Sequence, residues 1–511
     1  MITAAKKRGR HNFGIYGDIA VVVLLISGLA LVYLCYLASF LGTISQFILA
    51  IIFLVLVGLT ITWIKSLNGA YGLYMIGGKH GINFIEKLSG RAARFWEAMA
   101  LWGVVLGFGL LAYPLLKGRI SKKLYAFGMI SLFAFFYFII PYLVYPVQLI
   151  TLPQIQALVS GVSAASARSA ATSTSVLYSI GEYALDAAIV VAGFSGYIIT
   201  ALLYNAGAIL VGIGQFAQSV AAGAPQISTV SNQVPGVAPI LPGLDIPFIP
   251  SIIALAVILI VHEFSHGVLS RIYKVKIKQI GILVFGSIPI GAFVEPDETK
   301  IKKLDSLKQT KIFSAGVSAN FVFTLVFFVP FLLTLIYFVP SVYQTNVFIT
   351  SVNSSYPAGV AGVPQHTQIV SWDGQNAVNL SNPETFESVA LATDKPNSNI
   401  DLVTSNGTFD IKAVADPQNS SRGLIGVSIL YVTNVKNTLL GQVEYNAYAT
   451  FALLFMFNLL IGIVNFLPIP GFDGWRVYKS NIKSQKFVNA LTILMSIALV
   501  INVIPLIAHY L

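Results

Sequence analysis

Residues 19–41 read IAVVVLLISGLALVYLCYLASFL, twenty-three positions without one charged side chain. A run of that length constrains the fold more than any other feature, because a bilayer is spanned by about 20 apolar helical residues. Three more runs, 47–64, 99–116 and 127–147, approach or exceed the same length. Only 10% of the chain is charged and its mean hydropathy is +0.79, whereas soluble domains carry about 25% charged residues. The fold class expected is a polytopic α-helical membrane protein. The basic start KKRGR is followed by an apolar run too long for a signal peptide, so it reads as an uncleaved anchor with a cytoplasmic N-terminus. The net charge of +11 fits basic cytoplasmic loops. No basic-aromatic nucleic-acid motif accompanies it, and no nucleic-acid partner is expected. The single cysteine, Cys35, lies in the first run and excludes a disulfide framework or a cysteine zinc site within one chain.

The four spans are followed by a Ser/Ala-rich stretch, 160–175, and a Gly/Ala-rich apolar region, 176–215, long enough for one tilted span or a hairpin of two. Loops 65–94 and 117–123 are both basic with one span between them, so either one loop departs from the positive-inside rule or that span is re-entrant. Farther on, the helix holding the apolar run 251–261 ends in RIYKVKIK and the basic segment 298–311 follows soon after, which places both flanks on the cytoplasmic side. Residues 341–436 differ in character: seven acidic and four basic side chains, and the alternating runs VFITSV, QIVSW, IDLVTS and FDIKAV, which read as strands. The chain's N-x-[ST] matches, at Asn353, Asn379, Asn406 and Asn419, all fall here. An extracytosolic β-rich domain is expected.

Six letters at the end of the run 251–261, VHEFSH, carry the chemistry. His262 and His266 stand four apart and share one helix face, where both can ligate zinc with Glu263 beside them as general base. Pro250 suits a first helical turn, and eleven residues at ~1.5 Å set His262 roughly 16 Å down the helix, well inside a ~30 Å hydrocarbon core. Ionisable groups at that depth are functional by default. A catalytic zinc has three protein ligands and one open position. The remaining histidines, His11, His80, His366 and His509, lie in tails or loops. NFLPIPGFDG, 465–474, offers Asp473 instead: Pro468, Pro470 and Gly471 break a helix at membrane depth and let the chain aim the acid sideways.

VHEFSHG with a downstream NFLPIPGFDG resembles the site-2 protease family of intramembrane zinc metalloproteases. The segments AGVSAN, GAFVEPDE and PILPGLDIP strengthen the likeness, the last pointing to the branch nearest the mammalian enzyme. The resemblance runs from residue 237 to the C-terminus and departs from the family's habit at Val317, often proline, and Phe472, often leucine. It implies that His262, His266 and Asp473 hold one zinc ion per chain, that Glu263 activates water and that Asn465 hydrogen-bonds near the reacting carbonyl. The substrates implied are membrane-anchored proteins cut within or near their transmembrane segments in regulated intramembrane proteolysis. The organisation expected is a multi-span region (1–235), the half of the core carrying the zinc helix and a re-entrant β-hairpin (236–340), the inserted domain (341–440), and the half carrying Asp473 (441–511). One cysteine and four sequons favour an archaeal cell membrane, with a eukaryotic endomembrane as the alternative.

Residues 274–295 alternate charged with apolar positions and end in glycines, which reads as a small membrane-edge sheet whose outer strand could pair with an unwound substrate. A purely structural hairpin is the alternative. SSYPAGVAGVPQHTQIVSWDGQNAV has the look of a PDZ repeat, expected to screen substrates by size, against a plain β-rich cap. Two rivals stand beside proteolysis. A zinc permease would need further ligands across the bilayer, and the sequence shows no second histidine cluster. A catalytically dead scaffold would lack a catalytic residue, and none is lacking. Oligomeric state is silent in the sequence.

Overall fold

The computed structural model describes residues 14–509 apart from 39–42, 68, 80, 144, 147–149, 151–175, 232, 234, 238–239, 241, 244–245, 378–394, 418 and 436–437. The N-terminal KKRGR, His11, His80, the Ser/Ala-rich stretch and Asn379 lie outside the described residues. Among those described, nine helices are long and apolar enough to cross a membrane. Each of the four early runs overlaps one such helix: α1 (Gly14–Leu37), α2 (Thr43–Lys65), the span 93–115 that opens with α4 (Ala93–Phe108), and the span 122–143 that opens with α5 (Lys122–Ala134). The Gly/Ala-rich region, α6 (Val176–Ala221), is two helical segments that meet at a sharp break at Ala192 and Gly193. Gly193 has φ +59°, and a Cβ there would run into the backbone of Leu106, Gly107 and Gly109, so glycine permits this close approach to the end of α4.

Helices α7 (Phe248–Ile272), α8 (Ser306–Tyr337), α9 (Leu439–Val464), the short α10 (Asp473–Asn481) and α11 (Gln485–His509) complete the set. Burial separates them. Two-thirds of the apolar window of α4 and of α9 is buried (67%), against 11–33% for the other spans. In α4 every residue from Met99 to Phe108 is buried. Small residues make this possible: Ser314 and Ser318 of α8 both donate to the carbonyl of Ala100, at 3.2 and 3.3 Å, and a Cβ on Gly103 would strike Ser318. Lipid is as apolar as leucine, so close backbone approach and such hydrogen bonds are what hold helices together here. Helix α4, which opens the third candidate span, is thus a central part of the core, although nothing in its sequence marks it as such.

The basic loop 65–94 also folds into structure. It forms β1 (Gly69–Ala70), β2 (Leu73–Gly78) and α3 (Ile82–Gly90). The hairpin expected at 274–295 is present as β3 (Ile277–Phe285) and β4 (Ile288–Pro296), and β2 pairs antiparallel with β3 from Leu73↔Phe285 to Gly78↔Ile280. The result is a four-stranded sheet in the order β1-β2-β3-β4, with β4 at its open edge. Tyr74, fully buried, donates its hydroxyl to the Gly286 carbonyl at 2.8 Å and packs with Val57, Ile61 and Val284, tying α2 to the sheet.

Residues Pro330–Tyr448 form a separate compact unit. Its strands are β5 (Tyr343–Val352), β6 (Thr367–Trp372), β7 (Gln375–Asn376), β8 (Asn399–Thr404), β9 (Gly407–Lys412), β10 (Val414–Asp416), β11 (Asn419–Leu424) and β12 (Val427–Val435). They build an antiparallel sheet, β12-β5-β6-β8-β9, with β7 on β6 and a separate β10-β11 pair. All four runs read as strands in the sequence are strands. Their period-2 alternation buries Val347, Ile349, Ile369, Ile400, Leu402 and Ile411 in one core. Asp373 and Gly374 close the β6–β7 hairpin with φ +49° and +73°, the Asp-Gly turn such hairpins favour.

Candidate metal centre

Helix α7 carries VHEFSH on its last three turns, and its apolar run gives way to the polar end at His262. The i, i+4 spacing brings the two imidazoles together edge to face, with ring centroids 4.9 Å apart. The acid arrives from α9. That helix stops at Val464, Gly471 takes φ +106°, and α10 restarts at Asp473. The Gly474 N–H donates to the Asn465 carbonyl at 2.7 Å and closes the broken segment on itself. Phe466, fully buried, pins the segment between Phe108 of α4 and Phe321 of α8, at ring distances of 5.3 and 6.2 Å.

Three ligand atoms converge. His266 Nε2 lies 3.3 Å from His262 Nε2 and 3.0 Å from Asp473 Oδ2, and His262 Nε2 lies 3.1 Å from the same oxygen. A tetrahedral zinc with bonds of 2.0–2.1 Å has ligand-to-ligand edges of ~3.3 Å, so three corners of such a site are in place. The hydrogen-bond directions agree. His266 Nδ1 meets the Ile312 carbonyl at 2.7 Å and therefore carries the proton, which turns a lone pair on Nε2 toward the other two atoms. Lone pairs from two imidazoles and a carboxylate aimed at one point repel each other unless a cation lies between them. Among the described residues no other group of three His, Cys, Asp or Glu side chains converges this way.

A second layer holds the first. Asn320 of α8 is fully buried, and its Nδ2 stands 3.2 Å from His262 Nδ1 while its Oδ1 has no partner. With His262 Nε2 ligating, Nδ1 bears a proton and needs an acceptor. A half-turn of the Asn320 amide puts Oδ1 opposite that proton and removes the orphaned oxygen at the same time. Gly316, four residues earlier on the same helix, faces the metal position: a Cβ there would lie 2.5 Å from both Nε2 atoms. Glu263 turns the other way round the helix, where Oε2 accepts the Val294 N–H of β4 at 3.1 Å.

The family model of peptidase family M50 matches residues 250–506. The chain belongs to that family. This is the site-2 protease family, whose members are zinc-dependent intramembrane metallopeptidases. An uncharacterized protein of Methanocaldococcus jannaschii is 30% identical over 250 residues, 47% of this chain. The matched part spans 60% of that relative's length. The M50 match covers α7 to α11 and so includes the converging trio, Glu263 and Asn465.

Of the five residues singled out from the sequence, His262, His266 and Asp473 come together, while Glu263 sits in the same turn with its carboxylate at β4. Asn465 joins the segment carrying Asp473 through its backbone carbonyl, and its side chain lines a neighbouring cavity. Ile312, Gly316, Asn320 and Val294 were not singled out. Their signal lay in the spacing: Gly316 and Asn320 repeat on α8 the i, i+4 step of the two histidines on α7.

Proposed function

We propose that the protein is an intramembrane zinc metalloendopeptidase that hydrolyses peptide bonds within or near the transmembrane segments of membrane-anchored proteins. The convergence of Asp473 with His262 and His266, which lie on a candidate span with Glu263 in the same helical turn, carries this reading. When bound there, zinc supplies a Lewis acid that polarises the scissile carbonyl and acidifies water.

The residues divide the remaining work. Glu263 takes the proton of the attacking water and returns it to the leaving amine. Asn465 donates a hydrogen bond near the reacting carbonyl. The open edge of β4 receives the substrate as an added strand, exposing a carbonyl that a helix would hide. Val294 donates to Glu263, so its peptide edge faces away from β3, on the side where a substrate strand would lie. Strand addition then takes over the Val294 N–H and releases the carboxylate to the water.

The β-rich unit is proposed as a PDZ-like, extracytosolic domain that admits substrates whose outer part is already trimmed. Its antiparallel sheet and the short helix Pro357–Val360 support this. The N-terminus is proposed as cytoplasmic and the protein as a multi-pass component of a cell membrane. A metal carrier would need a second set of ligands along a path, and the described residues contain none.

The test pairs zinc content of the detergent-purified protein with cleavage of a single-span substrate, for wild type and Glu263→Gln. Zinc in both with cleavage lost only in the variant supports the reading. Zinc in both with no cleavage by wild type across several substrates favours a carrier or scaffold.

A further inference from the structure

A cavity of about 310 Å³ is lined in part by the broken segment that leads into Asp473. Among its walls are Leu255 of α7, Ile461 and Val464 of α9, Asn465 and Phe472 of the broken segment, and Ile246 from the stretch before α7. Among the described residues that line it, Asn465 is the one polar residue. Two features connect it to the chemistry. Asn465 and Phe472 belong to the loop that delivers Asp473, Phe472 being its immediate neighbour. Leu255 precedes His262 by seven residues, two helical turns less about 20°, so both stand on one face of α7 roughly 10 Å apart along the axis.

We propose that this cavity is the side-chain subsite of the protease, taking one bulky apolar side chain, leucine to phenylalanine in size, near the scissile bond; the proposal rests on the proteolytic reading above. An extended chain advances ~3.3 Å per residue, so the cavity receives a residue within about three positions of the cut, on the side facing the α7 N-terminus. Its size suits the occupant: a cavity of about 150 Å³ already admits benzene. An apolar wall around a single polar group is also how small-ligand sites are built, the polar group fixing orientation. Here that group is Asn465, already assigned to the carbonyl. In a bilayer lipid solvates an apolar side chain as well as protein does, so selection at this site works through fit. One methylene more or less in a fitted pocket changes rates by about 10–200-fold.

The experiment uses the full-length protein and single-span substrates carrying Ala, Leu, Phe or Trp at each of the three positions on either side of the cut. Ile461→Trp fills the cavity and Ile461→Ala enlarges it, and zinc content is measured for each protein. The expected wild type cleaves the Leu or Phe substrate at least tenfold faster than the Ala substrate at one of these positions. Ile461→Trp brings that ratio close to one, and Ile461→Ala moves the optimum to Trp. A wild type that cleaves all sizes equally overturns the subsite alone, as does a pair of variants that slow every substrate by the same factor, the result expected if the cavity holds lipid or serves packing. A zinc-loaded wild type that cleaves none of the set overturns the proteolytic reading, and the subsite with it.

Discussion

Oε2 of Glu263 accepts a hydrogen bond from the backbone N–H of Val294 at 3.1 Å, so the proposed catalytic base occupies the open edge of β4. The β3–β4 register is regular from Ile280↔Val294 to Ile282↔Ala292, and residues two apart on a strand turn their peptide groups to the same side. Ala292 therefore also presents its N–H to the open edge. Proline is tolerated at such a position because no ladder bond to β3 is lost. Ala292→Pro is expected to keep zinc content and melting temperature and to slow cleavage about 3–10-fold, the ~0.5–1.5 kcal/mol of one hydrogen bond. Unchanged cleavage of every substrate tested rules out docking on this edge.

Gly316 offers a sharper test of the metal centre. A Cβ at this position would lie 2.5 Å from both histidine Nε2 atoms, and neither imidazole can move without leaving Asp473. Gly316→Ala is expected to weaken zinc binding by at least tenfold in chelator competition, with cleavage lost in parallel. Gly207, also helical, has nothing within 4 Å of its Cβ position. Gly207→Ala should leave zinc binding unchanged and stabilise the helix by about 0.5–1 kcal/mol. Equal zinc affinities in the two variants would show that the trio does not hold the ion.

The amide of Asn320 should matter through what it accepts. It faces the proton that His262 Nδ1 carries when Nε2 ligates. Asn320→Leu keeps the branched shape and removes the acceptor, and is expected to lower zinc affinity about 10–100-fold, the usual effect of losing such a partner. Asn320→Asp keeps an acceptor and is expected to stay closer to wild type than Asn320→Leu does. The reverse order of the two variants would mean that Asn320 acts by packing alone.

What the sequence revealed followed the strength of local signals. The spans were visible because twenty apolar residues in a row have one physical outcome, and β5, β6, β8 and β9 because period-2 alternation faces a core. The trio was visible because HExxH and a doubly proline-broken helix are unusual at membrane depth. The pairing of β2 with β3 was not, since LYMIGG is six residues ending in glycines and its partner lies some two hundred residues away. Nor was the central place of α4, whose apolar residues look the same facing lipid as facing Ser314, Ser318 and Phe466. Lone polar residues such as Asn320 acquire meaning only when a second helix supplies the atom they face.

Removal of the metal should be visible in stability as well as activity. The proposed ion joins α7 to the first residue of α10, so a folded chain binds it and an unfolded chain, with its ligands dispersed over 212 positions, does not. Free zinc at a hundred times its dissociation constant stabilises the folded state by ~2.7 kcal/mol. For a chain of 511 residues, at about 2.1 cal/mol/K of unfolding entropy per residue, that corresponds to a melting shift of roughly 2–3 °C. Chelation is expected to lower the melting temperature of the wild type by such an amount and to leave Asp473→Ala unmoved, because that variant has already lost the third ligand. Glu263→Gln, with all three ligands intact, should respond to the chelator as the wild type does while cleaving nothing. Equal chelator shifts in wild type and Asp473→Ala would place the ion elsewhere in the chain.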